Sequence, residues 1–310
     1  MSVARKILLA ASTNEWLRQR AMRTAFVRRS VSRFMPGEHI EDALLAARAQ
    51  EAQGINTIFT RLGENLTRTD EAEAVTEHYL DVLDRVKAAG LNAQISVKPT
   101  QLGLDLDSAL CFANLQRLVN RAAETGNFIW IDMESSPYVD PTLDLFRRTR
   151  ARSPLVGLAL QAYLHRTARD IETLLPLGAA IRLVKGAYLE SPPVALPRKI
   201  DVDQNFYKLA CRMLGEDAQR WGTLLHVATH DPSLVDRVSA FIDQRGLPRS
   251  AYEFAMLYGI QRPLQQRLVR SGRRLRVLIA YGEYWFPWYM RRLAERPANV
   301  WFVAKNLFVH

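Results

Sequence analysis

Cysteine is scarce in this chain: Cys111 and Cys211 are the two present, a hundred residues apart, with no CxxC pair between them. A disulfide framework and a cysteine-based zinc site are therefore not expected, and a reducing, cytoplasmic compartment is. Long apolar runs are also missing. None approaches the roughly 18 residues that a membrane-spanning helix needs. The short stretch Ile7–Ala11 behind Arg5 and Lys6 ends at once in Asn14, Glu15 and Arg18, so it does not read as a secretion signal. None of the 15 glycines forms even a GxG pair, which removes both the dinucleotide fingerprint and the P-loop. No repeat and no Pro/Gly/Ser-rich linker divides the 310 residues.

What is present is an ordinary globular balance, 48% hydrophobic and 24% charged, with 42 basic against 32 acidic residues and a formal charge of +10. That charge is uneven. Residues 1–33 hold eight basic residues and one acid, and residues 261–297 hold nine arginines and two acids, +7 in each case. Lys305 adds one more, so residues 34–260 carry −5. Basic ends of this kind could meet nucleic acid, an anionic membrane or an anionic ligand, or be solvated helix faces.

Short β-branched runs recur at Ile55–Phe59, Ala93–Val97, Phe128–Ile131, Val156–Leu160, Ala180–Val184, Leu224–Val227, Tyr252–Met256 and Leu275–Ala280. Helical periodicity fills the gaps at Ala72–Ala89, Ala109–Thr125, Asn205–Trp221, Leu234–Gln244 and Leu264–Arg270. Alternating strands and helices imply parallel pairing with right-handed crossovers. Eight units in about 250 residues fit a closed βα barrel better than the runner-up, a doubly wound open sheet. The expected fold is thus α/β, a closed (βα)8 TIM-type barrel, with residues 1–37 as a basic helical arm and 38–310 as a single barrel domain.

Chemistry in such a barrel belongs at the C-terminal strand ends. Those ends read Arg61 and Glu64, Lys98, Asp132 and Glu134, Gln161, Arg182 and Lys185, then His226, Thr229 and His230, Glu253, Leu257 and Tyr281. Lys98, just before Pro99, could bind an anion, form a Schiff base, or simply be a solvated rim lysine. Asp132 follows an apolar strand and needs a partner, for which Arg182 and Lys98 are candidates. Arg182 and Lys185 lie three apart, so on a strand they face opposite ways, and Gly186 allows close approach of a ligand to the backbone. His226 and His230 have the spacing of a helical zinc pair, but on a strand end and without HExxH. Arg291 and Arg292 follow a proline-started helix, point about 100° apart and can close on a small anion, with Glu295 one turn on. A Schiff-base aldolase, a metal hydrolase and a basic nucleic-acid-binding protein remain alternatives at this level, although no nucleic-acid recognition motif is present.

Five ordered motifs sharpen the reading: ISVKPTQLGL (Ile95–Leu104), RLVKGAY (Arg182–Tyr188), ATHD (Ala228–Asp231), EFAMLYG (Glu253–Gly259) and WFPWYMRRLAERPAN (Trp285–Asn299). Together they resemble the proline dehydrogenase family in its short, stand-alone bacterial form. The resemblance implies a distorted (βα)8 barrel that binds FAD without a Rossmann motif and oxidises L-proline to Δ1-pyrroline-5-carboxylate by hydride transfer to flavin N5. It assigns Lys98, Arg291 and Arg292 to the substrate carboxylate, Glu295 to support of the arginines, and Leu257 to the proline ring. It makes Asp132 and Arg182 the active-site polar residues, with Arg182 near N5. Met133, Gln161, Lys185, Gly186, Ala187, Thr229 and His230 become flavin contacts. A quinone or other membrane-linked acceptor follows, and with it a peripheral membrane contact through the basic N-terminal segment. One departure stands out: Leu278 and Ala280 occupy positions where many relatives carry tyrosine and proline, which leaves selectivity among cyclic imino acids open.

Overall fold

The strand-like runs are short and largely apolar because both of their faces are covered. In the computed structural model, which describes residues 31–63 and 66–294 and the last four of these by backbone alone, they form eight parallel strands. These are β1 (Asn56–Arg61), β2 (Ala93–Val97), β3 (Ile129–Ile131), β4 (Val156–Gln161), β5 (Ala180–Val184), β6 (Leu224–Ala228), β7 (Tyr252–Leu257) and β8 (Leu275–Tyr281). They pair in chain order and close, with Ile58 opposite Leu278 where β1 meets β8. Every expected strand is present, shifted by no more than a residue or two at either end.

The helices are α1 (Ile40–Glu51), α2 (Thr69–Ala88), α3 (Ser108–Thr125), α4 (Val139–Arg150), α5 (Thr167–Leu174), α6 (Lys199–Met213), α7 (Glu216–Arg220), α8 (Pro232–Gln244), α9 (Arg262–Arg270) and α10 (Trp285–Ala294). Local chemistry sets several ends. Asp107 Oδ1 accepts from the Ala109 amide at 2.8 Å to cap α3, and Asp231 caps α8 ahead of Pro232. The single helix expected over Asn205–Trp221 is two: the chain leaves α6 at Leu214, and Gly215, extended at φ −73° and ψ 166°, starts α7. Cys111 and Cys211 are both free.

Two apolar regions result. The larger lies between the outward faces of the strands and the helices, with Phe59, Ile95, Ile131, Leu158, Ile181 and Phe254 on the strand side. The smaller fills the middle of the lumen, where Ile58, Trp130 and Ala180 meet Phe128, Leu224 and Leu278.

The outer ring is irregular in one way that matters. Helix α1, which precedes the first strand, packs on both β1 and β8 and covers the seam where a helix after β8 would ordinarily lie. Helix α10 therefore goes elsewhere. Trp285 Nε1 donates to Glu38 Oε1 at 3.0 Å, the Tyr289 ring lies 6.4 Å from that of Phe34, and Trp288 lines the cavity at the mouth of the barrel. Of the expected N-terminal arm, residues 1–30 lie outside the described residues; Val31 and Met35 are buried. No helix among the described residues is long and apolar enough to cross a membrane.

Candidate active site

A cavity of about 1880 Å³ opens at the C-terminal ends of the strands. Twelve of the residues singled out from sequence line it: Lys98, Asp132, Met133, Gln161, Arg182, Lys185, Gly186, Ala187, Thr229, His230, Leu257 and Leu278. Arg291 and Arg292 are in α10 and their side chains lie outside the description; Glu64 and Glu295 lie outside the described residues altogether.

Arg182 is the partner Asp132 requires. Its Nη2 donates to Asp132 Oδ1 and, at 2.8 Å, to Ser96 Oγ, which itself donates to Asp132 Oδ1 at 3.0 Å. The Asp132 amide continues the strand pairing by donating to Val97 O, and this directs the carboxylate inward. Burial disfavours the charged guanidinium and lowers the Arg182 pKa, partly offset by Asp132. Arg182 Nη1 is buried and has no hydrogen-bond partner among the described residues. A charged donor left in that condition beside a cavity is suited to an acceptor from a ligand. Ser96 has a part in this triangle, yet its type and place carry no signal in sequence.

Lys185 lies one residue past β5, on the opposite side to Arg182, and is caught in a ring of charges. Its Nζ donates to Asp203 Oδ1 at 2.5 Å and to Asp231 Oδ2 at 3.0 Å, and Lys199 closes the ring from α6 by donating to the same two carboxylates. The two lysines hold the Asp231 carboxyl down at about 2 against its own desolvation. Gly186 turns the chain at φ 121°, and a Cβ there would fall 2.2 Å from Tyr163 Cδ1. Asp203 and Lys199 were not legible as site residues, because they arrive from a helix 18 and 14 residues further on. Asp231 stood in a motif without an assigned role.

Four rim assignments need correction. Glu253 is the second residue of β7, so its side chain lies low in the lumen, where Arg276 Nε donates to it at 3.0 Å. His226 is opposite Glu253 in the β6–β7 register and points into the lumen as well. It does not pair with His230, whose Nε2 accepts from the Leu257 amide at 2.9 Å on the rim. Tyr281 points outward, its hydroxyl 2.8 Å from His78 Nε2 on α2. Glu134 holds the turn after β2 by accepting from Thr100 N and Oγ1 at 3.1 and 2.8 Å. On the rim itself, Gln161 Nε2 donates to Glu134 O and Thr229 Oγ1 accepts from the Asp231 amide.

Burial pushes the His226 pKa down to about 4 from 6.5, against the pull of Glu253 and with Arg276 and Arg182 acting in the same direction as burial. The unfolded chain therefore takes up a proton near pH 6.5 that the folded chain refuses until about pH 4. Stability is full above that window and falls through it on acidification, by an amount on the order of 3 kcal/mol for this group. Thermal melts from pH 7 to pH 4 should show the decline, and a His226→Phe variant should have a flatter profile; an identical slope in the variant would contradict the assignment.

The Proline dehydrogenase family model matches residues 43–305. Proline dehydrogenase 2 of Bacillus subtilis subsp. natto is 34% identical over 307 residues, 99% of each chain. Proline dehydrogenase of Deinococcus radiodurans is 38% identical over 280 residues, 89% of each chain. Among solved structures, proline utilization A from Bdellovibrio bacteriovorus inactivated by N-propargylglycine superposes with a TM-score of 0.80 at 21% identity, over 94% of this chain and 36% of that one. The structural likeness carries the barrel fold; with the family match across the barrel and the two full-length relatives, the chain belongs to the proline dehydrogenase family.

Proposed function

We propose that the chain oxidises L-proline to Δ1-pyrroline-5-carboxylate with FAD bound in the mouth of the barrel. The observation that carries the reading is the buried Arg182–Asp132–Ser96 triangle, with one guanidinium nitrogen left for a ligand inside a cavity large enough for both a cofactor and a substrate. The cavity is nearly twice the ~1,000 Å³ upper range of ordinary small-molecule sites. A dinucleotide and an imino acid together need such room, and the lining offers both polar donors and apolar faces. FAD, when bound, supplies the two-electron acceptor, taking hydride at N5.

The rest of the chemistry falls to the protein. Met133, Gln161, Lys185, Gly186, Ala187, Thr229 and His230 would hold the cofactor, and Arg182 would offer its free donor toward N5. Lys98, Arg291 and Arg292 would hold the substrate carboxylate, with Glu295 steadying the arginines. Product formation removes a hydride from the ring carbon beside nitrogen and a proton from nitrogen, and it goes only from the neutral amine, whose lone pair forms the imine. Cations around the carboxylate lower the amine pKa and favour that form. They also fix the ring for transfer, with Leu257 against it.

Purified protein should be yellow and should bleach anaerobically with L-proline; a preparation that does not take up FAD would refute the reading. Arg291→Met should raise the proline concentration for half-reduction about tenfold or more, the loss of one charge-assisted contact. Unchanged saturation would remove the carboxylate assignment. Leu278, half-buried in the lumen beside Ile58, places no hydroxyl near the ring. That favours, as a second reading, a different cyclic imino acid, and a substrate panel in the same bleaching assay decides between them. Electrons would pass on to a quinone-type acceptor. The basic segment 1–33 would bring the protein to an anionic membrane surface; sedimentation with anionic vesicles at low salt checks this, and no binding would count against it.

A further inference from the structure

The lumen holds two buried ion pairs, one of which includes Arg182, with a layer of rings between them. The lower pair is Glu253 with Arg276, joined by Asn56 Nδ2 at 3.2 Å and by Arg274 3.6 Å away. The upper is Asp132 with Arg182. Between them lie Trp130 and His226, both fully buried and neither lining the cavity. Their ring centroids are 4.3 Å apart at an interplanar angle of 43°, and the Arg182 Cζ is 5.3 Å from the centroid of the Trp130 ring. The β5–β6 register sets His226 directly beside Arg182.

The polar contacts of Arg182 to Asp132 and Ser96 both run through Nη2. Two bonds at one nitrogen leave the plane of the guanidinium free to pivot about it, so the direction of Nη1 needs a third constraint. The face of Trp130 supplies one, as a cation resting on an aromatic ring. Trp130 in turn has one polar tether, Nε1 to Gln94 Oε1 at 2.8 Å, and space to sit only because residue 157 is glycine, where a Cβ would fall 2.6 Å from its Cζ3. Something must stop the indole from swinging on that tether. Two rings pack against it, Phe128 with centroids 5.2 Å apart and His226 at 4.3 Å, and of these His226 is the one in register with Arg182. Neither of its nitrogens makes an aligned hydrogen bond, although Nε2 stands 3.2 Å from Glu253 Oε2, so its contribution is the ring itself. The stack requires the ring uncharged, because a cation there would compete with Arg182 for the electrons of the same indole.

We propose that His226 is a positioning residue: its ring, stacked on Trp130, fixes the indole that orients the Arg182 guanidinium, and so sets where Nη1 is offered. This rests on the reading of the cavity as a proline-oxidising site. The test compares FAD-loaded wild type, His226→Ala, His226→Gln and His226→Phe by anaerobic stopped-flow reduction with L-proline, together with near-UV circular dichroism of the same proteins stripped of flavin. His226→Ala and His226→Gln should lower the limiting reduction rate about tenfold or more, the scale of a misplaced catalytic group. The proline saturation constant should stay within about twofold, since the carboxylate contacts lie elsewhere. Both variants should lose the near-UV signal of Trp130, and His226→Phe should restore rate and signal. A Trp130→Leu/His226→Ala double variant should be no slower than Trp130→Leu alone, as expected of residues acting in series.

Wild-type limiting rates in His226→Ala and His226→Gln would overturn the proposal. So would a His226→Phe variant as slow as His226→Ala, which would move the role to the ring nitrogens. Should His226→Ala not fold, His226→Gln, which keeps the volume without a ring, carries the same expectation. If the wild type itself is not reduced by proline, the functional reading fails, while the dichroism series still decides whether the stack exists.

Discussion

Asp132→Ala should destabilise the protein by about 3 kcal/mol, because it leaves the Arg182 guanidinium buried with no opposing charge. The same change should slow flavin reduction by about a hundredfold or more, the penalty for losing the alignment of an active-site donor. Arg182 is only 4% exposed and Asp132 is its one ion-pair partner among the described residues, so little solvent can replace the lost carboxylate. A double variant, Asp132→Leu/Arg182→Met, separates the two effects. Removing both charges avoids the unpaired ion and should recover most of the stability, since a buried pair is worth little relative to apolar residues of similar volume. Its activity should stay as low as that of the single variant. Denaturant unfolding and stopped-flow reduction read the two quantities, and recovery of rate along with stability would show that the pair is structural only.

The second large effect is expected at the turn after β7. Gly259, in the turn after β7, has φ +74°, and a Cβ there would fall 1.5 Å from the Arg33 carbonyl oxygen. Gly259→Ala must therefore push away the segment that crosses this turn, besides holding an unfavourable backbone conformation that costs about 1–3 kcal/mol by itself. That segment carries Arg33 and Phe34, which line the cavity, and its neighbour Glu38 holds Trp285 at the start of α10. Displacing it moves the support of the helix that bears Arg291 and Arg292. The half-saturating proline concentration should rise about tenfold, with a smaller change in the rate at saturation, the pattern of weakened ground-state binding. An unaltered saturation curve would show that α10 does not depend on residues 33–38.

The barrel was legible because strands covered on both faces are rich in apolar residues, and eight such runs recur between helical stretches. That Asp132 needs a cationic partner was legible for a related reason, since its charge sits where isolation would be costly; the choice of Arg182 over Lys98 came from the structure. What could not be read depends on register and on neighbours distant in the chain. Glu253 was read with the rim although it is the second residue of its run and so lies low in the lumen, and a parity step sends Tyr281 out to His78. Ser96, Trp130 and Gly157 look like filler in three separate strands and become a triangle, a platform and a hollow only once those strands lie side by side. The break before α7 was missed because a helical pattern in apolar residues continues straight across Gly215.

The placement of α1 has a consequence for how the two ends of the chain divide the labour. With the seam between β1 and β8 covered from the N-terminal side, the wall of the barrel is complete once Tyr281 has been laid down. Among the described residues, those that follow are surplus to the wall, and Trp288 of α10 lines the cavity instead. Helix α10 thus does not take the place of a wall helix, although Trp285, Phe286 and Tyr289 in it are buried. A substitution at Trp288 is therefore expected to alter what the cavity holds while leaving the barrel wall intact.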